Sequence, residues 1–151
     1  MKSTNPEATS VETYFENKYE IVSGKLTEEE ELYKENILDH YKNPHNKRKI
    51  SHCTFNHKDF NPLCGDEITL FIKTEQGKIV DASFEGNGCA ISQASASLLT
   101  DHLKKISLEQ AKKLGPWDIF NLLGIRISHT RSKCALLCLK TLQEGIKEAK
   151  L

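Results

Sequence analysis

The sequence lacks a surplus of either charge: 21 Lys and Arg are balanced by 21 Asp and Glu over 151 residues. Nucleic acid and anionic membrane both call for a clustered cationic face, so binding by charge alone is excluded. Also missing is any run near the roughly 18 consecutive apolar residues that a membrane-spanning helix needs. Met1 to Gly24 has no apolar core of a secretory signal. With several glutamates and no arginine before Arg48, it does not fit an organellar transit peptide either. A cytoplasmic chain is therefore expected. There is no internal repeat and no low-complexity segment, and at this length a second independent core is not expected.

What the sequence does have is thiol. Five cysteines in a chain without an export signal point to a reducing compartment, where thiols bind metals, do chemistry or fill a core more often than they crosslink. The odd number agrees with that reading.

Hydrophobic periodicity and turn residues divide the chain. Residues 1–26 mix Ser, Thr, Asn and Glu with scattered apolar residues and read as a flexible extension, leaving 27–151 as the domain. Thr27 and Glu30 form a capping box, Tyr33, Ile37 and Tyr41 recur every fourth residue, and Asn43-Pro44 stops this first helix. Cys53, Phe55 and His57 alternate in what could be one weak strand before Asn61-Pro62. Two strands follow, carried by Ile68, Leu70 and Ile72 and by Val80, Ala82 and Phe84, with Gln76-Gly77 turning between them. Ala90 to about Lys104 suits a helix packed closely on the sheet. Ser107 to Leu114 is a short helix opened by Ser107 and Gln110, and Trp117 to Leu123 is a further apolar turn or two. Ala135, Leu139, Leu142 and Ile146 make one face of a terminal helix from Ser132 to about Lys147.

Three cysteines fall at element boundaries, where function usually sits. Cys64-Gly65-Asp66 places a thiol and a carboxylate two residues apart around a glycine that can take the positive φ needed for them to converge, and a metal is the simplest common target. Cys89 follows Glu85-Gly86-Asn87-Gly88 into a helix N-terminus, which favours thiolate. Cys134 is expected in the first turn of the last helix just after Arg131 and Lys133, which act in the same direction. All three are expected to be reactive or ligating, each as an exposed thiolate, while Asp66 alone has the bland reading of a turn residue. Cys138 reads as core packing before it reads as a fourth ligand. Cys53 with His52 and His57 reads as a strand with incidental histidines, and Lys47-Arg48-Lys49 as a solvated loop.

The run Tyr33 to Pro44, Asn61-Pro62-Leu63-Cys64-Gly65-Asp66, Phe84 to Ser97 and Arg131-Ser132-Lys133-Cys134-Ala135 together resemble the U-type iron-sulfur cluster assembly family, which includes IscU, SufU and the N-terminal domain of NifU. The resemblance implies an α+β fold in which a small three-stranded antiparallel sheet packs against several helices. It implies that Cys64, Asp66, Cys89 and Cys134 hold zinc, iron or a nascent [2Fe-2S] cluster. It further implies a cysteine desulfurase of the SufS or IscS type as sulfur donor, with Cys64 as persulfide acceptor and Cys134 beside it, and downstream proteins that receive the cluster. Lys133 stands where the IscU branch has histidine and resembles SufU, whereas the step from Cys89 to Cys134 leaves no room for the insertion that SufU carries there. Scaffold and sulfur relay therefore both remain open. So does the chain's standing as an enzyme, for which a zinc-dependent sulfurtransferase activity is the nearest candidate.

Two other classes compete. A structural zinc module would use the same residues only to hold the fold, but such sites normally close their shell with four Cys or His ligands. A cysteine-dependent hydrolase would need a histidine base. His102 and His129 exist, but no nucleophile motif surrounds any cysteine.

Overall fold

The structure, a computed structural model, describes residues 27–151; the expected extension over 1–26 lies outside the described residues. Helix α1 (Glu28–Lys42) leads into strands β1 (Phe55–Asn61), β2 (Asp66–Glu75) and β3 (Lys78–Asn87). These are followed by α2 (Ala90–Leu103), the short α3 (Leu108–Lys112), α4 (Pro116–Leu123) and α5 (His129–Glu148). The sheet is antiparallel throughout in the order β1-β2-β3. This is the α+β arrangement expected from the sequence. Among the described residues no helix is long and apolar enough to cross a membrane.

One cluster of buried apolar side chains holds the layers together. Ile68, Leu70 and Ile72 of β2 and Ala82 and Phe84 of β3 are fully buried, under α5 on the β1 and β2 side and under α2 on the β3 side. On α2 the small residues Ala94, Ala96 and Ser97 are buried together with Leu99 and Leu103. Their size lets α2 pack against α1, α5 and the sheet at once.

Both capping boxes form: Thr27 with Glu30 opens α1, and Ser107 with Gln110 opens α3. Glu30 has a second role, because its carboxylate also accepts the Arg126 Nε–H at 2.9 Å. Burial opposes its ionisation, yet the hydrogen bonds from Thr27 and Arg126 outweigh burial and hold its carboxyl below the usual value. The pair ties the start of α1 to the segment between α4 and α5.

Three elements differ from the sequence expectation. The buried face of α1 uses Ile37 and His40, while Tyr41 is 45% exposed; the helix turns the residue before Tyr41 inward. Strand β1 begins at Phe55 and runs to Asn61, leaving Cys53 outside it. Helix α5 begins at His129, three residues before the expected Ser132, with Ser128 as N-cap.

Gly124 ends α4 in the left-handed conformation (φ 73°), and a β-carbon there would land inside the Tyr33 ring of α1. Gly124→Ala combines left-handed strain of about 1–2 kcal/mol with overpacking of about 1–3 kcal/mol. The expected loss is about 3 kcal/mol, or roughly 6–12 °C in Tm for a domain of this size. Thermal unfolding checks it, and an unchanged melt would show that Tyr33 can swing clear.

Candidate metal centre

The β1–β2 connection is four residues long, Pro62 to Gly65, and Asn61 organises it. The Asn61 carbonyl accepts the Gly65 N–H at 2.8 Å and its side-chain Oδ1 accepts the Leu63 N–H at 3.1 Å. Gly65 takes φ 74°, the conformation that glycine adopts without steric penalty. The turn therefore leaves Cys64 exposed at its tip and Asp66 buried, at 1% exposure, as the first residue of β2.

Helix α2 supplies the second wall. Cys89 is its N-cap, and the Cys89 N–H donates to Asp66 Oδ1 at 3.0 Å. This places a carboxylate against the positive end of the helix. Gly88 is required by the same contact, since a β-carbon at that position would meet Asp66 Oδ1 and Ser92 Oγ. Asp66 Oδ2, also buried, has no hydrogen-bond partner among the described residues, and an orphaned buried carboxylate oxygen calls for a ligand.

Helix α5 closes the site. Cys134 Sγ lies 3.2 Å from Cys64 Sγ, and ligand atoms of Cys64, Asp66 and Cys134 all lie within 4.8 Å of one another. Cys89 lines the same cleft, of about 430 Å³, together with Gly65, Gly88, Thr130 and Arg131. Two thiols, a carboxylate with a free oxygen and a third thiol at the rim form a donor set that suits zinc, ferrous iron or an iron-sulfur cluster. The residues present thus fit such a group.

Cys134 corrects one expectation. It is 1% exposed, and because α5 starts at His129 it sits in the second turn, beyond the free amides of the first. Burial is the main cause that pushes its thiol far above the ordinary value. The neighbouring Cys64 thiol, the Asp66 carboxylate and the negative charge of Cys89 add to it. Without a cation, Cys134 is a protonated thiol through the neutral range. Cys138 behaves as core: it is 1% exposed among apolar side chains, and burial pushes its thiol up to about 12. Cys53, His52 and His57 do not gather as a ligand group. Lys47 and Arg48 are exposed but engaged, Lys47 with Gln93 and Arg48 with Asp81.

Beside the cysteines lies a feature that periodicity did not reveal. Phe60, Pro62, Leu63, Leu136 and Leu137 line an apolar groove of about 350 Å³ with Lys133 and Lys140 at its edge. Phe60 is 59% and Leu63 76% exposed. The signal in the sequence was the pair of large apolar residues flanking a turn.

The model of the NifU-like N-terminal domain family matches residues 32–150. The chain belongs to this family. It is 36% identical over 132 residues to the zinc-dependent sulfurtransferase SufU of Bacillus subtilis, covering 76% of this chain and 89% of that protein. It is 35% identical over 133 residues to the iron-sulfur cluster assembly scaffold protein IscU of Thermotoga maritima, covering 78% and 94%. Among solved structures it resembles a protein from Fervidobacterium islandicum described as an iron-sulfur cluster assembly scaffold for the SUF system. The TM-score is 0.63 at 30% identity, over 74% of this chain and 94% of that one. Similarity to SufU and IscU at nearly equal identity agrees with the mixed motifs of this family member: Lys133 before the third cysteine, and no insertion ahead of it.

Proposed function

We propose that this protein serves iron-sulfur cluster assembly in the cytoplasm, accepting sulfur from a cysteine desulfurase at Cys64. It then either builds a [2Fe-2S] cluster on Cys64, Asp66, Cys89 and Cys134 or passes the sulfur onward. The observation that carries this reading is the contrast within the site: an exposed Cys64 thiol lies 3.2 Å from a buried Cys134 thiol, above a buried carboxylate with one free oxygen. A structural zinc shell normally closes with four Cys or His ligands, whereas here a carboxylate stands among the donors. A bound zinc ion or ferrous iron would supply Lewis acidity that holds the thiols as thiolates.

In the transfer, the Cys64 thiolate attacks the outer sulfur of the donor's persulfide. A new S–S bond forms at Cys64, the donor's S–S bond breaks, and the donor cysteine leaves as thiol with the proton. No net oxidation occurs. The apolar groove beside Cys64, edged by Lys133 and Lys140, gives the donor a surface to rest on.

Incubated with a desulfurase and free cysteine, the full-length protein is expected to gain one sulfur atom on Cys64, located by mass spectrometry. Leu63→Glu is expected to slow that gain at least tenfold while zinc content stays unchanged, because it places a charge in the groove without touching a ligand. No adduct and no acceleration with SUF-type or ISC-type desulfurases would overturn the proposal.

A further inference from the structure

A second group of ligands stands away from the cysteines. His40 is the buried residue of the last turn of α1, the Asn43-Pro44 turn brings His45 back over it, and Asp101 meets both from α2. The two imidazole rings lie 4.3 Å apart, tilted by 49°. One ligand atom from each of the three residues lies within 4.8 Å of the others. We infer that His40, His45 and Asp101 form a second cation site, selective for a borderline divalent metal such as zinc and independent of the cysteine centre.

Three observations support this site. First, two imidazoles and one carboxylate, with no thiol, make a donor set for zinc, nickel or copper but not for a cluster. Second, the ligands are held by further hydrogen bonds, as metal ligands commonly are. Ser97 Oγ accepts the His45 backbone N–H at 2.8 Å and lies 2.6 Å from His40 Nδ1, and Asn46 Nδ2 donates to Asp101 Oδ1 at 2.8 Å and to Thr100 Oγ1 at 3.0 Å. Third, the site is open on one side: His40 is a buried floor, whereas the His45 and Asp101 side chains are 49% and 37% exposed.

His45 Nδ1 and Asp101 Oδ2 lie 2.6 Å apart, and a cation that takes both atoms replaces the hydrogen bond between them, with nothing oxidised or reduced. Cys89 and Asp101 lie near opposite ends of α2, about 18 Å apart at 1.5 Å per residue, so one ion cannot bridge the two centres.

The test uses the reduced, full-length protein, stripped with a chelator and titrated with zinc alone. The wild type is expected to take up a second equivalent with shifts of the His40 and His45 ring resonances. His45→Ala and Asp101→Asn are each expected to weaken that second equivalent at least tenfold and to leave the first unchanged, while Cys64→Ser removes the first and keeps the second. Asp101→Asn preserves size, so a folding defect in one variant does not decide the matter. A second equivalent of undiminished affinity in both variants, or no second equivalent in the wild type, would overturn the inference.

Discussion

Zinc content is expected to collapse in Cys64→Ser, Cys89→Ser and Cys134→Ser, measured at the cysteine centre against the parent, and to survive in Cys53→Ser and Cys138→Ser. A hydroxyl in place of a thiolate removes one of the strongest bonds to zinc, and a loss of about a hundredfold in affinity, roughly 2.7 kcal/mol, is expected for each of the three. Cys138→Ser buries a hydroxyl in the core and should lower stability by about 1–3 kcal/mol without releasing metal, since Cys138 faces apolar side chains and not the cleft. Metal analysis of the five variants decides the assignment, and a requirement for Cys53 in place of Cys64 would refute it. The raised Cys134 thiol sets the pH dependence. Zinc must expel a proton from it, so affinity falls as pH falls. In the metal-free protein the sign is the reverse. A thiol whose pKa is raised on folding contributes stability that is present below the ordinary thiol range and is lost as pH rises above it. Melts of the metal-free protein should therefore weaken on the alkaline side, where the zinc-bound protein does not.

Asp66→Ala is expected to assemble a [2Fe-2S] cluster under anaerobic conditions and yet transfer it to an apo-ferredoxin severalfold more slowly than the parent, with zinc affinity down tenfold or more. A carboxylate oxygen is a harder donor than a thiolate and makes the weaker bond to a cluster iron, so it is the point at which the cluster is released. The structure adds a second reason for a large effect: Asp66 Oδ1 accepts the Cys89 N–H, so the substitution also orphans the N-cap amide of α2. Asp66→Asn separates the two roles, because it keeps an oxygen for the Cys89 N–H while removing the charge. Transfer at the parental rate with full zinc affinity in both variants would leave Asp66 as no more than a turn residue.

The features that could be read from the sequence are local ones. The capping boxes at Thr27 and Ser107 and the Gln76-Gly77 turn depend on residues three or fewer apart, and local chemistry decides them. The Cys64-Gly65-Asp66 turn belongs with these, since the positive φ of Gly65 and the hydrogen bonds to Asn61, four residues before it, place the thiol and carboxylate. What could not be read depends on tertiary contact. His40 is buried and Tyr41 exposed because α2 presents Ser97 to α1, a partner invisible in the periodicity of α1 alone. The first turn of α5, His129 to Arg131, carries no apolar residue, so the pattern gives no sign of it before Ala135. Cys134 has basic neighbours in sequence, yet its environment is set by burial against Cys64 and Asp66 on a strand connection some 70 residues earlier.

Cys64 and Cys134 meet across 70 residues of sequence, one on a strand connection and one on the last helix. A cation shared between them can bind only when α5 is seated on the sheet, so its binding free energy adds directly to the free energy of folding. At a concentration one hundred times the dissociation constant, that linkage amounts to about 2.7 kcal/mol. The converse also holds: a partner that takes the ion or cluster away removes this clamp, and the emptied protein is the less stable one until it is filled again.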